Sequence, residues 1–350
     1  MKILITGAAG FLGLHLAKYA DKLNWVNKVY LYDIAEFDKK DYPKNKSIFI
    51  KGDVRDRELL GYYISQSDFV IHSAAALPLW KKSDIFEVNI TGTENVLALS
   101  LEHGIKRVVY ISSTAVYGVP EKHPIEETDP LEGVGYYGIS KIEAEKLCNT
   151  FIKKGLNCTI VRPKTFVGPY RLGVFEILFD WVYDGKKIPM IGDGSNRYQL
   201  LDVADLVECV YLFLKDWQRQ DYNDVFNVGA KKFFTVSEDL KALFEFAGSG
   251  SSLLSFPAGF VKFFLALFYK LKLSPLYPWV YATADKDSFV SIEKIEKVLS
   301  WSPRYSNADA LIRAYKWYLK HRDEIKAKGA GVTHRVGWKQ GVLGVIKRFM

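Results

Sequence analysis

Cysteine is scarce: Cys148, Cys158 and Cys209 are all that 350 residues contain. Three thiols so spaced draw neither a disulfide framework nor a metal-ligand pattern, so no metal is expected and a reducing compartment is. The apolar segment Phe260 to Leu273 is too short to span a bilayer, which needs about 20 apolar residues, and lysines at 262, 270 and 272 interrupt it. Met1-Lys2 runs straight into a strand, which leaves no room for a secretory signal, and the expected location is cytoplasmic. Acid is short mainly at the end of the chain. Residues 320–350 hold eight Lys/Arg against Asp323 and Glu324, which accounts for most of the net charge of +8. The body is nearly neutral, which argues against nucleic acid as a partner.

What is present is ordinary globular composition, 49% hydrophobic and 25% charged, in a chain long enough for one large domain or two smaller ones. Lys2-Ile3-Leu4-Ile5 reads as a buried strand, Thr6 to Gly13 as a glycine turn, and the stretch to about Leu23 as a helix. Gly7 permits the tight turn, Gly10 lets backbone approach a pyrophosphate, and Gly13 lets the helix pack close to the sheet. The second strand, Lys28 to Tyr32, ends at Asp33, 20 residues beyond Gly13. An acid there suits the ribose hydroxyls of NAD and repels the extra phosphate of NADP. Further strands are expected at 47–51, 69–72, 107–111 and 158–162. Ala74, Ala75 and Ala76 follow the fourth, small enough for a flat cofactor to lie on the backbone, and the next helix carries Asn89 and Thr93. Strands alternating with helices predict a parallel sheet with its ligands at the carboxyl ends. Tyr137 and Lys141 are four apart, hence on one helix face, where an ammonium favours the phenolate and lets the tyrosine exchange a proton near neutral pH.

With Thr6-Gly-x-x-Gly-x-x-Gly13, Ser113 and Tyr137-x-x-x-Lys141 in this order, the chain resembles an extended short-chain dehydrogenase/reductase of the NAD-dependent epimerase/dehydratase family, from Met1 to about Tyr318. The resemblance implies an α/β fold, a Rossmann-type doubly wound parallel sheet with a smaller, discontinuous C-terminal substrate-binding region. The NAD-binding domain would cover 1–165 with a return segment near 200–230, and the substrate-binding region 166–200 and 231–320. A basic tail, 321–350, would follow. Tyr137 would be the acid/base, Lys141 would orient the nicotinamide ribose, and Ser113 would hold the substrate oxygen. Gly7, Gly10, Phe11, Leu12, Gly13, Asp33, Asp53, Val54, Ala74 to Ala76, Asn89, Pro163 and Thr165 would join Tyr137 and Lys141 around NAD. A homodimer through the helices near 84–103 and 136–154 is expected by the same analogy. A non-catalytic NAD sensor need not keep Ser113, Tyr137 and Lys141, so an enzyme is expected.

Dehydratases and decarboxylases of this family usually place an acid one or two positions after the catalytic Ser/Thr. Here Thr114 and Ala115 stand there, which counts against both and leaves epimerisation or plain dehydrogenation. A nucleotide-sugar epimerase is the leading expectation, with Ser113, Thr114 and Arg197 on the substrate. Arg197 falls one position early for the family's diphosphate ligand, and Thr165 stands where such members tend to carry Asn. The alternative is a 3β-hydroxysteroid-dehydrogenase-like oxidoreductase acting on a sterol or lipid-like alcohol. Its support is the apolar stretch 256–281, which would lid an apolar pocket or lie on a membrane surface; 335–350 is a second candidate for peripheral membrane contact.

Overall fold

The computed structural model describes residues 1–350 apart from 79, 271–282, 328–334, 336–343, 345–346 and 348–349; for 260 and 266–270 it describes backbone only. Seven strands form one parallel sheet: β1 (Lys2–Thr6), β2 (Lys28–Asp33), β3 (Ser47–Lys51), β4 (Phe69–His72), β5 (Arg107–Ile111), β6 (Cys158–Pro163) and β10 (Val225–Val228), in the order β10-β6-β5-β4-β1-β2-β3. Interior strands read as continuous apolar runs because both faces are covered. Side-chain alternation then divides them. Ile3, Ile5, Val109 and Ile111 face the layer of α1 (Phe11–Asp21) and α7 (Val203–Lys215). Leu4, Val108 and Tyr110 face the layer of α2 (Arg57–Ser65), α4 (Gly92–Glu102) and α5 (Gly135–Lys153). That alternation sends the Tyr110 hydroxyl towards α5. The strand order reverses between β1 and β4, where an open α/β sheet offers a crevice for ligands.

A short helix, α3 (Lys82–Phe86), runs through a π-helical turn into α4. Most of the remaining elements build a smaller body: β7 (Thr165–Val167), α6 (Val174–Tyr183), β8 (Lys187–Ile191), β9 (Leu200–Asp202), α8 (Val236–Ala247), β11 (Ser252–Phe256), α9 (Ala258–Lys270) and α11 (Asn307–Ala327), whereas α10 (Glu293–Leu299) packs through Ile295 on the main core beside α7 and β10. The core of the smaller body is Phe179, Val182, Leu243, Phe244, Tyr315 and Tyr318 between α6, α8 and α11. The start of the segment expected to return near 200–230 does not join the main sheet. Leu200 to Asp202 pair with Thr165 to Val167 in a separate two-stranded ladder, and β10 makes the return beside β6. The reason is local: β6 ends at Pro163 and the chain resumes one residue later as β7, so the returning segment meets β7 first.

Candidate active site

The glycine turn is shaped by its neighbour as much as by itself. Gly7 has φ of 69°, and a Cβ there would lie 2.6 Å from the Ala74 nitrogen. The backbone of Ser73 and Ala74 therefore backs the turn. Gly13 packs on the turn rather than on the sheet: its Cβ would come 2.4 Å from the Cα of Ala8. Gly10 caps α1 without a side-chain hydrogen bond, and no acid stands in the first helical turn. This is an amide-rich, anion-accepting helix start that fits a pyrophosphate. Asp33 closes the other side. One carboxylate oxygen accepts from the amide of Ala9 and the other from Ala35, both at 2.9 Å. Burial raises its pKa, and these amides pull it back. The arrangement fits a ribose diol beside a pyrophosphate, which is what NAD brings.

Other expected cofactor residues are placed less directly. Phe11 and Leu12 are buried, and Phe11 stacks on Phe166 with ring centroids 5.7 Å apart. Asp53 gives its carboxylate to Arg55, which also pairs with Glu87. Val54 lies in the core, and its carbonyl accepts from Asn95. The Asn89 amide is engaged within the protein. Its oxygen accepts from the Ala76 nitrogen, and its nitrogen donates to the Ala76 carbonyl and to Ser140 Oγ. It is a bracket holding the alanine segment to α5. Thr165 shares a 3.0 Å hydrogen bond with the Tyr198 hydroxyl.

Ser113, Tyr137 and Lys141 are brought to one edge by close backbone packing. Ser113 caps a 3-10 turn over Thr114–Tyr117, its hydroxyl accepting from the Ala115 amide. α5 starts against that turn because residue 138 is glycine: a Cβ there would lie 2.7 Å from the Ala115 carbonyl. Tyr137 is half-buried in the first turn of α5, with Lys141 one turn on. The Lys141 ammonium is 2% exposed and donates to the Ile111 carbonyl at 2.8 Å and the Tyr110 hydroxyl at 3.2 Å. Burial lowers its pKa to about 8, against the opposing pull of Glu145. Thr114 donates to the Pro163 carbonyl at 3.4 Å, and Ala115 is buried.

Three supports carry no motif and escaped the sequence reading. His72 bridges Thr6 Oγ1 (2.7 Å) and Thr93 Oγ1 (2.9 Å), and burial with Lys141 nearby lowers its pKa to about 3, so it stays neutral. Arg162 and Glu145 form an ion pair that is 4% and 3% exposed; Glu145 also accepts from Ser112, next to Ser113. The third is Lys164, between Pro163 and Thr165. A polar residue ending an apolar strand was the available signal for His72, and a charge at or just past the end of β6 the signal for Arg162 and Lys164.

Arg197 is exposed, its guanidinium 4.5 Å from the centroid of Phe289 and 4.9 Å from that of Phe233. Among the described residues no carboxylate pairs with it. Of the membrane candidates, α9 covers 258–270, while 271–281 and most of 335–350 lie outside the described residues. The two described cations within 335–350 are bound to the body. Arg335 donates to the Ala9 carbonyl at 3.1 Å and pairs with Asp41 at 2.6 Å, and Lys347 pairs with Asp180 and Asp184. Among the described residues, no helix is long and apolar enough to cross a membrane.

Residues 3–229 match the model of the NAD dependent epimerase/dehydratase family. An uncharacterized Sinorhizobium fredii protein, y4nG, is 34% identical, over 98% of this chain and 85% of its own. The UDP-glucose 4-epimerase of Lactobacillus helveticus is 27% identical, over 92% of this chain and 98% of its own. A dTDP-glucose 4,6-dehydratase of Streptomyces niveus is 24% identical, over 92% and 94%. With a dehydratase among the relatives, the expectation against dehydration is not supported by them; nor do they favour the sterol or lipid alternative. Two solved structures share the fold. The UDP-glucose 4-epimerase of Thermotoga maritima with UDP-glucose has a TM-score of 0.75 at 23% identity, covering 92% of this chain and 100% of that one. The UDP-glucuronic acid 4-epimerase of Bacillus cereus with NAD also has 0.75, at 22% identity, covering 91% and 99%.

Proposed function

Because this chain belongs to the NAD-dependent epimerase/dehydratase family, we propose that it is a nucleotide-sugar epimerase that inverts a secondary alcohol by an internal redox cycle. NAD is its cofactor; when bound it supplies an acceptor that takes a hydride from the alcohol carbon and returns it to the other face. Tyr137 takes the hydroxyl proton as hydride leaves, and returns it once the ketone has turned. Ser113 donates a hydrogen bond to the same oxygen. Lys141 places a buried positive charge one helical turn from Tyr137 and favours its phenolate. Two of its three N–H donors go to Tyr110 and Ile111; the third is available to a ribose hydroxyl.

The choice of epimerase is carried by the two positions after Ser113. Thr114 bonds the Pro163 carbonyl and Ala115 is buried, so neither position supplies the additional acid or base that elimination needs. The UDP-glucose 4-epimerase relative, aligned over nearly its whole length, supports the nucleotide-sugar class. The reading includes a homodimer through α4 and α5, where Tyr136 and Ile139 are exposed.

The test starts with protein purified without added cofactor. It is denatured and the released nucleotide quantified; the native protein is then given UDP-glucose or dTDP-glucose and the products are separated. Near-stoichiometric NAD and a 4-epimeric sugar formed without external cofactor are expected. Accumulating NADH would replace the epimerase with a dehydrogenase, and a 4-keto-6-deoxy sugar would replace it with a dehydratase.

A further inference from the structure

Lys164 is the buried charge that the proposed mechanism leaves unused. It is 3% exposed, and its backbone nitrogen donates to Val228 at the carboxyl end of β10. Its ammonium donates to Ser288 Oγ at 2.6 Å and lies 4.8 Å from the centroid of the Tyr198 ring. Among the described residues no carboxylate pairs with it. Burial alone brings its pKa down to about 7. A dry ammonium held by one neutral hydroxyl is expensive, and the cost falls when an anion arrives.

The location gives that cost a use. Lys164 lies between Pro163, whose carbonyl is tied to Thr114 beside Ser113, and Thr165 on β7. Two further polar groups stand close by. Burial lowers the His123 pKa, the Glu121 carbonyl and the Asp287 carboxylate oppose it, and the Lys164 charge adds to it; its Nε2 is buried without a hydrogen-bond partner among the described residues. Its Nδ1 faces the Glu121 carbonyl at 3.2 Å, and its ring lies on Phe289, 4.8 Å between centroids. The Tyr198 hydroxyl is shared with Thr165. With Nδ1–H donating to the Glu121 carbonyl, Nε2 of the neutral His123 ring is an acceptor, so polar groups of mixed character gather around one positive charge where the strand end beside Ser113 meets the smaller body.

We propose that Lys164 is a specificity-determining residue that binds an anionic oxygen group of the substrate, its ammonium exchanging the Ser288 hydroxyl for a carboxylate or phosphate oxygen. This rests on the proposed nucleotide-sugar reading and adds to it: the substrate carries negative charge where Pro163 and Thr165 flank Lys164. The charge is either a carboxylate on the sugar or the diphosphate of the nucleotide.

The experiment uses full-length, NAD-loaded protein with isotope-labelled lysine. The Lys164 signal is identified by its loss in Lys164→Met, and pyrophosphate, glucuronate, UDP, UDP-glucose and UDP-glucuronate are titrated at constant ionic strength. The Lys164 signal is expected to move, and its titration midpoint to rise by about one unit or more, with the anion it binds. Lys164→Met should lose roughly tenfold or more in affinity for that anion at unchanged NAD affinity. A carboxylate ligand makes UDP-glucuronate bind more tightly than UDP-glucose, a preference that vanishes in the variant. A diphosphate ligand makes UDP and both sugars weaken by the same factor. Ser288→Ala keeps the charge and removes the resting partner, so affinity should rise, whereas a purely structural lysine would gain nothing. Wild type that binds no UDP compound, yet shows Lys164 moving with pyrophosphate or glucuronate, overturns the nucleotide-sugar reading and keeps this one. A Lys164 signal unmoved by all five probes, or a Lys164→Met protein that binds them as wild type does, overturns it.

Discussion

At the carboxyl edge of the sheet two lysines are almost fully buried, Lys141 at 2% and Lys164 at 3% exposure. Lys141 belongs to the nucleotide-binding half and is held from within it. A backbone carbonyl and a phenol of β5 accept its protons, and Glu145, one turn along α5, partly offsets the burial. Lys164 stands where the smaller body meets the sheet. Its side-chain partner is a hydroxyl 124 residues away, and no charge offsets its burial. The difference teaches how the two sites are built: Lys141 is held by two acceptors and eased by a carboxylate on its own helix, whereas Lys164, at the junction with the smaller body, has one hydroxyl. A pocket so arranged gains most from the ligand that completes it.

The largest effect expected from breaking this comparison is at Tyr137. Tyr137→Phe should lower turnover by about 10²–10⁴-fold while NAD affinity stays within a factor of roughly two, because only the proton transfer is removed. Turnover near the wild-type level would take the acid/base role from this residue. Next is the network beneath the catalytic strand end. Glu145→Ala leaves the Arg162 guanidinium buried without its carboxylate and should cost about 3–5 kcal/mol in urea unfolding. Glu143→Ala, which removes an exposed partner of Lys146 on the same helix, should cost less than about 1 kcal/mol. Equal losses would mean that the buried pair is not what holds Ser112 and Pro163 in place.

A sharper comparison comes from pH. Each lysine has a folded pKa below its ordinary value of 10.5, about 8 for Lys141 and about 7 for Lys164. Below the folded value both states are charged and the burial penalty is complete. Between the folded and unfolded values the unfolded chain binds the proton and the folded one does not, so stability rises with pH. Subtracting the unfolding profile of Lys141→Met or Lys164→Met from that of wild type isolates each contribution. The rise should begin near pH 8 for Lys141, about a unit lower for Lys164, and level off by about pH 10.5, with a full span of order 3–5 kcal/mol. Flat difference curves would mean that water reaches both ammonium groups.

The smallest effect expected is at Arg197. Its guanidinium is exposed between two phenyl rings, so Arg197→Ala should change stability by under about 0.5 kcal/mol. As a diphosphate ligand it should raise KM for UDP-glucose roughly tenfold at unchanged kcat, the signature of lost uniform binding. An unchanged KM would leave phosphate recognition to Lys164 and its neighbours.

The sequence by itself determined the alternation of strands and helices, the glycine turn with Asp33 at the next strand end, and the helical spacing of Tyr137 and Lys141. These features are local, and local backbone geometry decides them: a positive φ needs glycine, a period of two or 3.6 assigns faces, and four residues make one helical turn. Tertiary structure alone decided what stands opposite. It set Tyr110 and neutral His72 around Lys141, tied Asn89 to Ala76 and Ser140, and paired 200–202 with 165–167 rather than with the main sheet. It also laid Arg335 on the glycine turn and gave Lys164 a hydroxyl from residue 288. The partners in those contacts lie far apart in the chain, and periodicity tells which face a residue occupies, not which element will cover that face.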